Sequence, residues 1–147
     1  MPAHRTHDVE KIGICGSHAK IAIALAFESV SAGFPSPAED YIEKTLDLND
    51  LLVTNPPATF FVKVTGTSMI DAGIHPGDIL SVDRSKEARH GDIVIVMLNG
   101  EMTVKELATV PTLRLIPHNS AYQPIILHDH DEFEMIGKVT GLVRQFK

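Results

Sequence analysis

The chain has 147 residues, of which 44% are hydrophobic and 5% aromatic, and a formal net charge of −6. This length supports one domain with a sizeable hydrophobic core, but not two ordinary domains. Because no basic stripe accompanies the acidic balance, direct sequence-specific DNA binding is not expected. The longest apolar run of the N-terminal third, residues 21–27, is far shorter than the roughly 20 residues that cross a bilayer, so we expect no membrane span.

The first segment, residues 1–32, combines histidines and charged residues with short apolar pieces. We therefore predict a weakly packed N-terminal arm. His18 and Lys20 interrupt the apolar residues, so the segment does not resemble a secretory signal and we expect a cytoplasmic protein. The single cysteine, Cys15, is compatible with a reducing compartment without deciding it, and nothing nearby marks it as a nucleophile.

A linker with a short helix is predicted over residues 33–58. Pro35 and Pro37 exclude a regular helix or a central strand at the start of this segment, which favours extended, accessible chain. From residue 37 to 52, early acidic residues and later apolar residues permit one short helix.

The remainder, residues 59–147, has the pattern of a mainly β domain with short, mostly antiparallel strands. Strand-like runs alternate with Gly- and Pro-containing turn signals throughout this part. The runs cover residues 59–64, 78–83, 92–98, 101–107, 113–117, 124–127 and 134–146, and the turn signals lie at Pro76-Gly77-Asp78, His90-Gly91-Asp92 and Asn99-Gly100.

The dipeptide Asn99-Gly100 predicts a tight hairpin between the two runs that flank it. Both residues tolerate the positive φ that a type I′ turn requires. In the second strand, the alternation of a β-strand places Lys105 on the same face as Thr103 and Leu107. Lys105 can therefore point toward the body of the domain.

Local sequence alone does not identify a catalytic site. Ser68 follows Gly66-Thr67 at the end of a strand-like run, where a surface serine is the ordinary explanation. A lysine on a hairpin, such as Lys105, is usually a solvated edge charge. To act as a base it would need a pKa near 7 instead of about 10.4, a cost of roughly 4 to 5 kcal/mol that burial among apolar groups can supply.

Longer stretches of the sequence change this interpretation. The chain resembles the Ser-Lys peptidase core of the LexA and UmuD families in the segments TGTSMIDAGIHPGDIL, VDRS, HGDIVIV and GEMTVKEL. It resembles UmuD in particular in the segments AGFPSPAEDYIEKTLDLNDLL, NPPATFFVKV and LIPHNSAYQPI. The resemblance spans roughly residues 32–147 and implies a compact LexA/UmuD-like domain of coiled antiparallel sheets with one short helix and an extended N-terminal arm.

The resemblance also implies a chemistry. Neutral Lys105 would accept the proton of Ser68, whose Oγ attacks a peptide carbonyl to form an acyl-enzyme that water resolves, without a metal or cofactor. The backbone N–H groups of Thr67 and Ser68 would stabilise the oxyanion. The substrate would be the protein's own arm, cut at Ala32-Gly33.

The family further implies partners. A homodimer is expected, with cleavage stimulated by the RecA filament on single-stranded DNA. The shortened product, residues 33–147, would then join a UmuC-type Y-family DNA polymerase for translesion synthesis in the SOS response.

Two other groups of side chains suggest weaker hypotheses, a metal site and a catalytic triad. The run from His128 to Glu132 holds several potential metal donors, although a solvated turn explains it more simply. A Ser-His-Asp triad could pair Ser68 with Asp71, His75 or His90, and only geometry would reveal it.

Three alternative functions are kept. The first is an interaction module that regulates a polymerase and whose Ser68 and Lys105 are idle. The second is a truncated relative of the LexA repressor, which would need a longer N-terminal helix-turn-helix region than the 32 residues before the predicted cut. The third, a membrane signal peptidase with the same pair, would need a membrane anchor.

Overall fold

The structure is a computed structural model, and it describes residues 8–14, 23–26 and 42–146. It divides into two units, residues 1–15 with 55–147 and residues 16–54. The elements in chain order are β1 (Val9–Ile14), β2 (Ile23–Ala26), β3 (Ile42–Leu46), α1 (Leu48–Leu52), β4 (Thr59–Val64), β5 (Ile79–Asp83), β6 (Ile93–Leu98), β7 (Glu101–Ala108), β8 (Arg114–Ile116), β9 (Ile125–Ile126) and β10 (Phe133–Val143).

The larger unit is built on an eight-stranded sheet in the order β1-β4-β5-β10-β6-β7-β8-β9, and its pairings are antiparallel. Every strand-like run predicted after residue 58 overlaps one of its strands. The predicted mainly β, antiparallel fold class is therefore confirmed. Strand β1 was not predicted: residues 8–14 were expected to belong to a weakly packed arm, but Val9 is completely buried and the strand pairs with β4.

The core consists of two hydrophobic clusters that share strand β6. Ile95 packs in one cluster with residues of β1, β4 and β5, whereas Val94, Val96 and Leu98 pack in the other with Leu115. Both faces of β6 are thus covered by apolar side chains. This explains why its sequence is a continuous apolar run instead of an alternating one.

The predicted hairpin is confirmed. Asn99 and Gly100 have φ values of 49° and 85°, and they connect the paired residues Leu98 and Glu101. The resulting register places Lys105 opposite Val94 on β6, in the middle of the sheet. The turn chemistry therefore determines which face of β7 carries the lysine.

The smaller unit contains the antiparallel pair β2–β3, followed by α1. The Asp47 side chain caps α1 by accepting a hydrogen bond of 2.9 Å from the N–H of Asn49. The predicted helix therefore occupies only the last part of residues 37–52. Residues 42–46 form a strand because they pair with β2, a contact that the local pattern does not reveal.

Several predictions concern residues that the structure does not describe. Ala32-Gly33, Cys15 and the linker prolines lie outside the described residues, and the division at residues 32 and 58 stays a prediction. Among residues 8–14, 23–26 and 42–146, no helix has the length and apolar character needed to span a bilayer.

Candidate active site

The candidate nucleophile, Ser68, lies in a turn between β4 and a short 3-10 helix at Ile70–Ala72. It is not a surface serine, because only 1% of its surface is exposed. The preceding Gly66 lies so close to the N-terminal segment that an added Cβ would come within 2.3 Å of the Asp8 Cβ. A glycine is therefore needed where the chain approaches Ser68.

A loop after β8 holds the backbone around Ser68. The N–H of His118 donates to the carbonyl of Ser68 at 2.8 Å. Asn119 Nδ2 donates to the carbonyl of Thr67 at 2.9 Å, and the Thr67 hydroxyl lies 2.9 Å from the Tyr122 hydroxyl. These contacts orient the serine turn from one side, and sequence reasoning assigned no role to the loop residues.

The candidate base, Lys105, comes from β7 and is completely buried. Its Nζ lies 2.9 Å from Ser68 Oγ, so the fold brings together two residues separated by 37 positions. The same Nζ lies 2.6 Å from Thr103 Oγ1 and 3.2 Å from the carbonyl of Val104. Thr103 lies on the same face of β7 as Lys105, as the strand alternation predicted, and it is also completely buried.

Burial lowers the pKa of Lys105 from its ordinary value of 10.5, because the charged form loses its hydration. The attraction of the Asp8 carboxylate and its hydrogen bond act in the opposite direction and raise this pKa. The net direction is the one that a general base requires. Asp8 therefore works against the neutral form of Lys105.

Asp8 is the site residue that sequence reasoning missed. It is 2% exposed, and its Oδ2 accepts hydrogen bonds from Ser68 Oγ and, at 3.1 Å, from Lys105 Nζ. Its Oδ1 accepts the N–H of Val104 at 3.0 Å. No local signal distinguishes Asp8 from the neighbouring Glu10, because its partners lie 60 to 97 positions away.

The alternative triad partners are not placed at Ser68. In the described part of the chain, the contacts of Ser68 Oγ are Asp8, Lys105 and the carbonyl of Val104. The backbone N–H of His75 donates to Asp78, and the His90 ring accepts the N–H of Thr109. The geometry therefore offers a serine–lysine pair with an added carboxylate, not a serine–histidine pair.

The histidine-rich segment after β9 forms a turn. The side chain of Asp131 accepts hydrogen bonds from the N–H of His128 and from Asn99 Nδ2, which ties this turn to the hairpin. The rings of His128 and His130 stack with centroids 5.5 Å apart. Within the described ranges, no group of three or more His, Cys, Asp or Glu side chains could hold a metal ion.

A buried serine hydroxyl, hydrogen-bonded to a buried lysine on a mainly β scaffold, is the arrangement of a serine–lysine peptidase. The sequence profile of the family described as "Peptidase S24-like" matches residues 24–140, and the chain belongs to this family. The resemblance to the LexA and UmuD group is confirmed by this match and by the relatives that follow.

Protein SamA of Salmonella typhimurium is 43% identical to the chain over 118 residues, which cover 80% of this chain and 82% of SamA. Protein MucA of Escherichia coli is 42% identical over 120 residues, covering 81% of this chain and 82% of MucA. The LexA repressor of Verminephrobacter eiseniae is 39% identical over 116 residues, which cover 78% of this chain but only 51% of that repressor.

Proposed function

We propose that the chain is a UmuD-like self-cleaving protein in which Ser68 and Lys105 cut the Ala32-Gly33 bond of the chain's own arm. The observation that supports this most directly is the 2.9 Å contact between Lys105 Nζ and Ser68 Oγ, made by two side chains that are both buried. Membership of a peptidase family is consistent with the same chemistry.

In this mechanism Lys105 must first lose its extra proton. The neutral amine accepts the proton of Ser68 as Oγ attacks the carbonyl carbon of Ala32. The tetrahedral intermediate then collapses, the bond to Gly33 breaks, and Lys105 returns the proton to the departing amine. Water, activated by the same amine, hydrolyses the acyl-enzyme and frees Ser68.

Neighbouring groups support these steps. Thr103 Oγ1, 2.6 Å from Nζ, orients the lysine amine toward the serine. Neither Thr67 N–H nor Ser68 N–H donates to another backbone group within the described residues. This is consistent with the role of oxyanion donors that the resemblance implies for both N–H groups.

For the biological role, we propose a homodimeric, cytoplasmic subunit of an error-prone translesion polymerase. It would be cleaved in response to the RecA filament on single-stranded DNA and would then join a UmuC-type Y-family polymerase. The similarity to SamA and MucA over 82% of each supports this role more than that of a repressor, because only 51% of the LexA relative is matched.

The test is self-cleavage of the purified chain at alkaline pH and with activated RecA filament, followed by intact-mass spectrometry. Wild type should yield residues 33–147, and Ser68→Ala and Lys105→Ala should both yield no product. Ser120→Ala, an exposed serine of the loop after β8, is the matched control and should be cleaved normally.

Two results would contradict parts of the proposal. Cleavage that persists in Ser68→Ala or Lys105→Ala excludes the serine–lysine pair. A cut after Cys15 excludes the Ala32-Gly33 assignment, and a charged change such as Gly33→Glu should block the correct cut while leaving the catalytic pair in place.

The idle interaction module is the second candidate, and the position of Asp8 is the observation that favours it. Its carboxylate engages both Ser68 and Lys105 in the structure. A wild-type mass that stays unchanged at alkaline pH and with the RecA filament would support this candidate.

A further inference from the structure

The backbone around Asp8 lies between the two segments that carry the catalytic pair. Its N–H donates to the carbonyl of Met102 on β7 at 3.2 Å. Its carbonyl accepts the N–H groups of Thr65 and Gly66 at 2.8 and 3.0 Å, just before Ser68. The Met102 carbonyl and the N–H groups of Thr65 and Gly66 are the groups that an extended peptide would use to reach Ser68 by β-strand addition.

The Asp8 side chain also reverses the hydrogen bonding that catalysis needs. An ammonium group has no lone pair and a carboxylate has no proton. In the ion-paired state, therefore, Lys105 donates to Ser68, and Ser68 donates its proton to Asp8. General-base catalysis requires the serine proton to point at Lys105 instead.

The rest of the strand keeps Asp8 in this position. Val9 is completely buried in the main hydrophobic cluster, and β1 pairs with β4 from Val9 opposite Val64 onward. The strand is nevertheless at the edge of the sheet and pairs with β4 alone among the neighbours in the strand order. It can leave without breaking the pairing of any other two strands.

We propose that β1 with Asp8 is an internal inhibitory strand that occupies the binding site of the scissile peptide, and that self-cleavage requires this strand to leave. The inference rests on the proposed function, since it names what regulates that site. The substrate is an extended peptide of the chain itself, and it takes over the backbone groups of Thr65, Gly66 and Met102 when Asp8 withdraws.

The first test replaces the Asp8 charge in the full chain. Asp8→Asn keeps the size of the side chain and removes its attraction for Lys105, so self-cleavage at neutral pH should become at least tenfold faster. Glu10→Gln changes the net charge equally on the exposed side of β1 and should cleave at the wild-type rate. A rate for Asp8→Asn that equals or falls below wild type overturns the inference, and a slower rate would instead make Asp8 part of the catalytic machinery.

The second test does not touch the site and covers the case in which Asp8→Asn fails to fold. Glu10 and Lys63 are exposed cross-strand partners on β1 and β4. A Glu10→Cys/Lys63→Cys chain, with Cys15→Ser to remove the native thiol, should form a disulfide that locks the strand. The oxidised chain should cleave at least tenfold more slowly than the same chain after reduction, whereas Lys63→Cys/Cys15→Ser should be insensitive to oxidation.

The two proposals fail in different ways. Cleavage that depends on Ser68 but ignores both Asp8→Asn and the disulfide would overturn the inhibitory strand and leave the proposed function standing. If neither wild type nor Asp8→Asn is cleaved at alkaline pH or with the RecA filament, the proposed function fails and the inhibitory strand fails with it.

Discussion

The hairpin β6–β7 and the edge strand β1 both carry a charged residue into the same buried site, but they are held there in different ways. The hairpin has a tight turn and a continuous register, and each of its strands has a second neighbour in the sheet. Among the described strands, β1 pairs with β4 alone, and its register is interrupted between Lys11 and Gly13. The comparison separates a part of the site that stays in place, the hairpin, from a part that can leave it, the strand β1 with Asp8.

The two regions meet in the ion pair between Lys105 and Asp8, whose side chains are 1% and 3% exposed. Taking both charges out of water is costly, and their attraction together with the added hydrogen bonds offsets that cost. The pair thus makes the placement of β1 depend on the charge of Lys105, the candidate base.

The largest expected effect comes from removing one partner of this pair. Lys105→Met should lower the free energy of unfolding by about 3 to 5 kcal/mol, because the Asp8 carboxylate is left buried without its cation. Denaturant unfolding followed by circular dichroism measures the loss. Asp8→Asn/Lys105→Met should recover most of it, and strictly additive effects of the two substitutions would show that the charges are not coupled.

A second prediction concerns pH. Below the native pKa of Lys105, the neutral fraction of the amine rises tenfold per pH unit, so self-cleavage should rise equally steeply and level off once pH exceeds that pKa. The only charged side chain facing Lys105 among the described residues is Asp8, which raises the pKa of Lys105. Asp8→Asn should therefore move the midpoint of the rate profile to lower pH, and an unchanged or higher midpoint would contradict the role given to Asp8.

The same contrast explains what the sequence could predict. Strands β4 to β10 follow from short-range signals, namely apolar runs, turn glycines and the Asn99-Gly100 dipeptide. Strand alternation on β7 predicted that Lys105 can point toward the body of the domain. It did not predict the burial itself, because Val104 on the opposite face of the strand is buried as well. Its meeting with Ser68 came from the family resemblance, because two residues 37 positions apart share no local pattern.

The elements that were missed depend on distant partners. The residues of β1 mix charged and apolar side chains without clear alternation, and they become a strand by pairing with β4 about 50 positions later. The buried environment of Asp8 likewise exists only after β4 and β7 are assembled. Residues 42–46 lie inside the range that was predicted to hold one short helix, and they form β3 for the same reason, since their partner is β2.

The smallest expected effect tests the hairpin, the part of the site that stays in place. Gly100→Ala places a Cβ at φ 85° in the hairpin turn, which should cost about 1 kcal/mol of unfolding free energy. Denaturant unfolding measures this loss. Amide hydrogen exchange should show faster exchange in β6 and β7 and no change in β1 from Val9 onward, because the backbone partners of those residues lie on β4 and not on the hairpin. If amide exchange in β1 were accelerated equally, the edge strand and the hairpin would open together. The strand β1 could then not leave the site on its own.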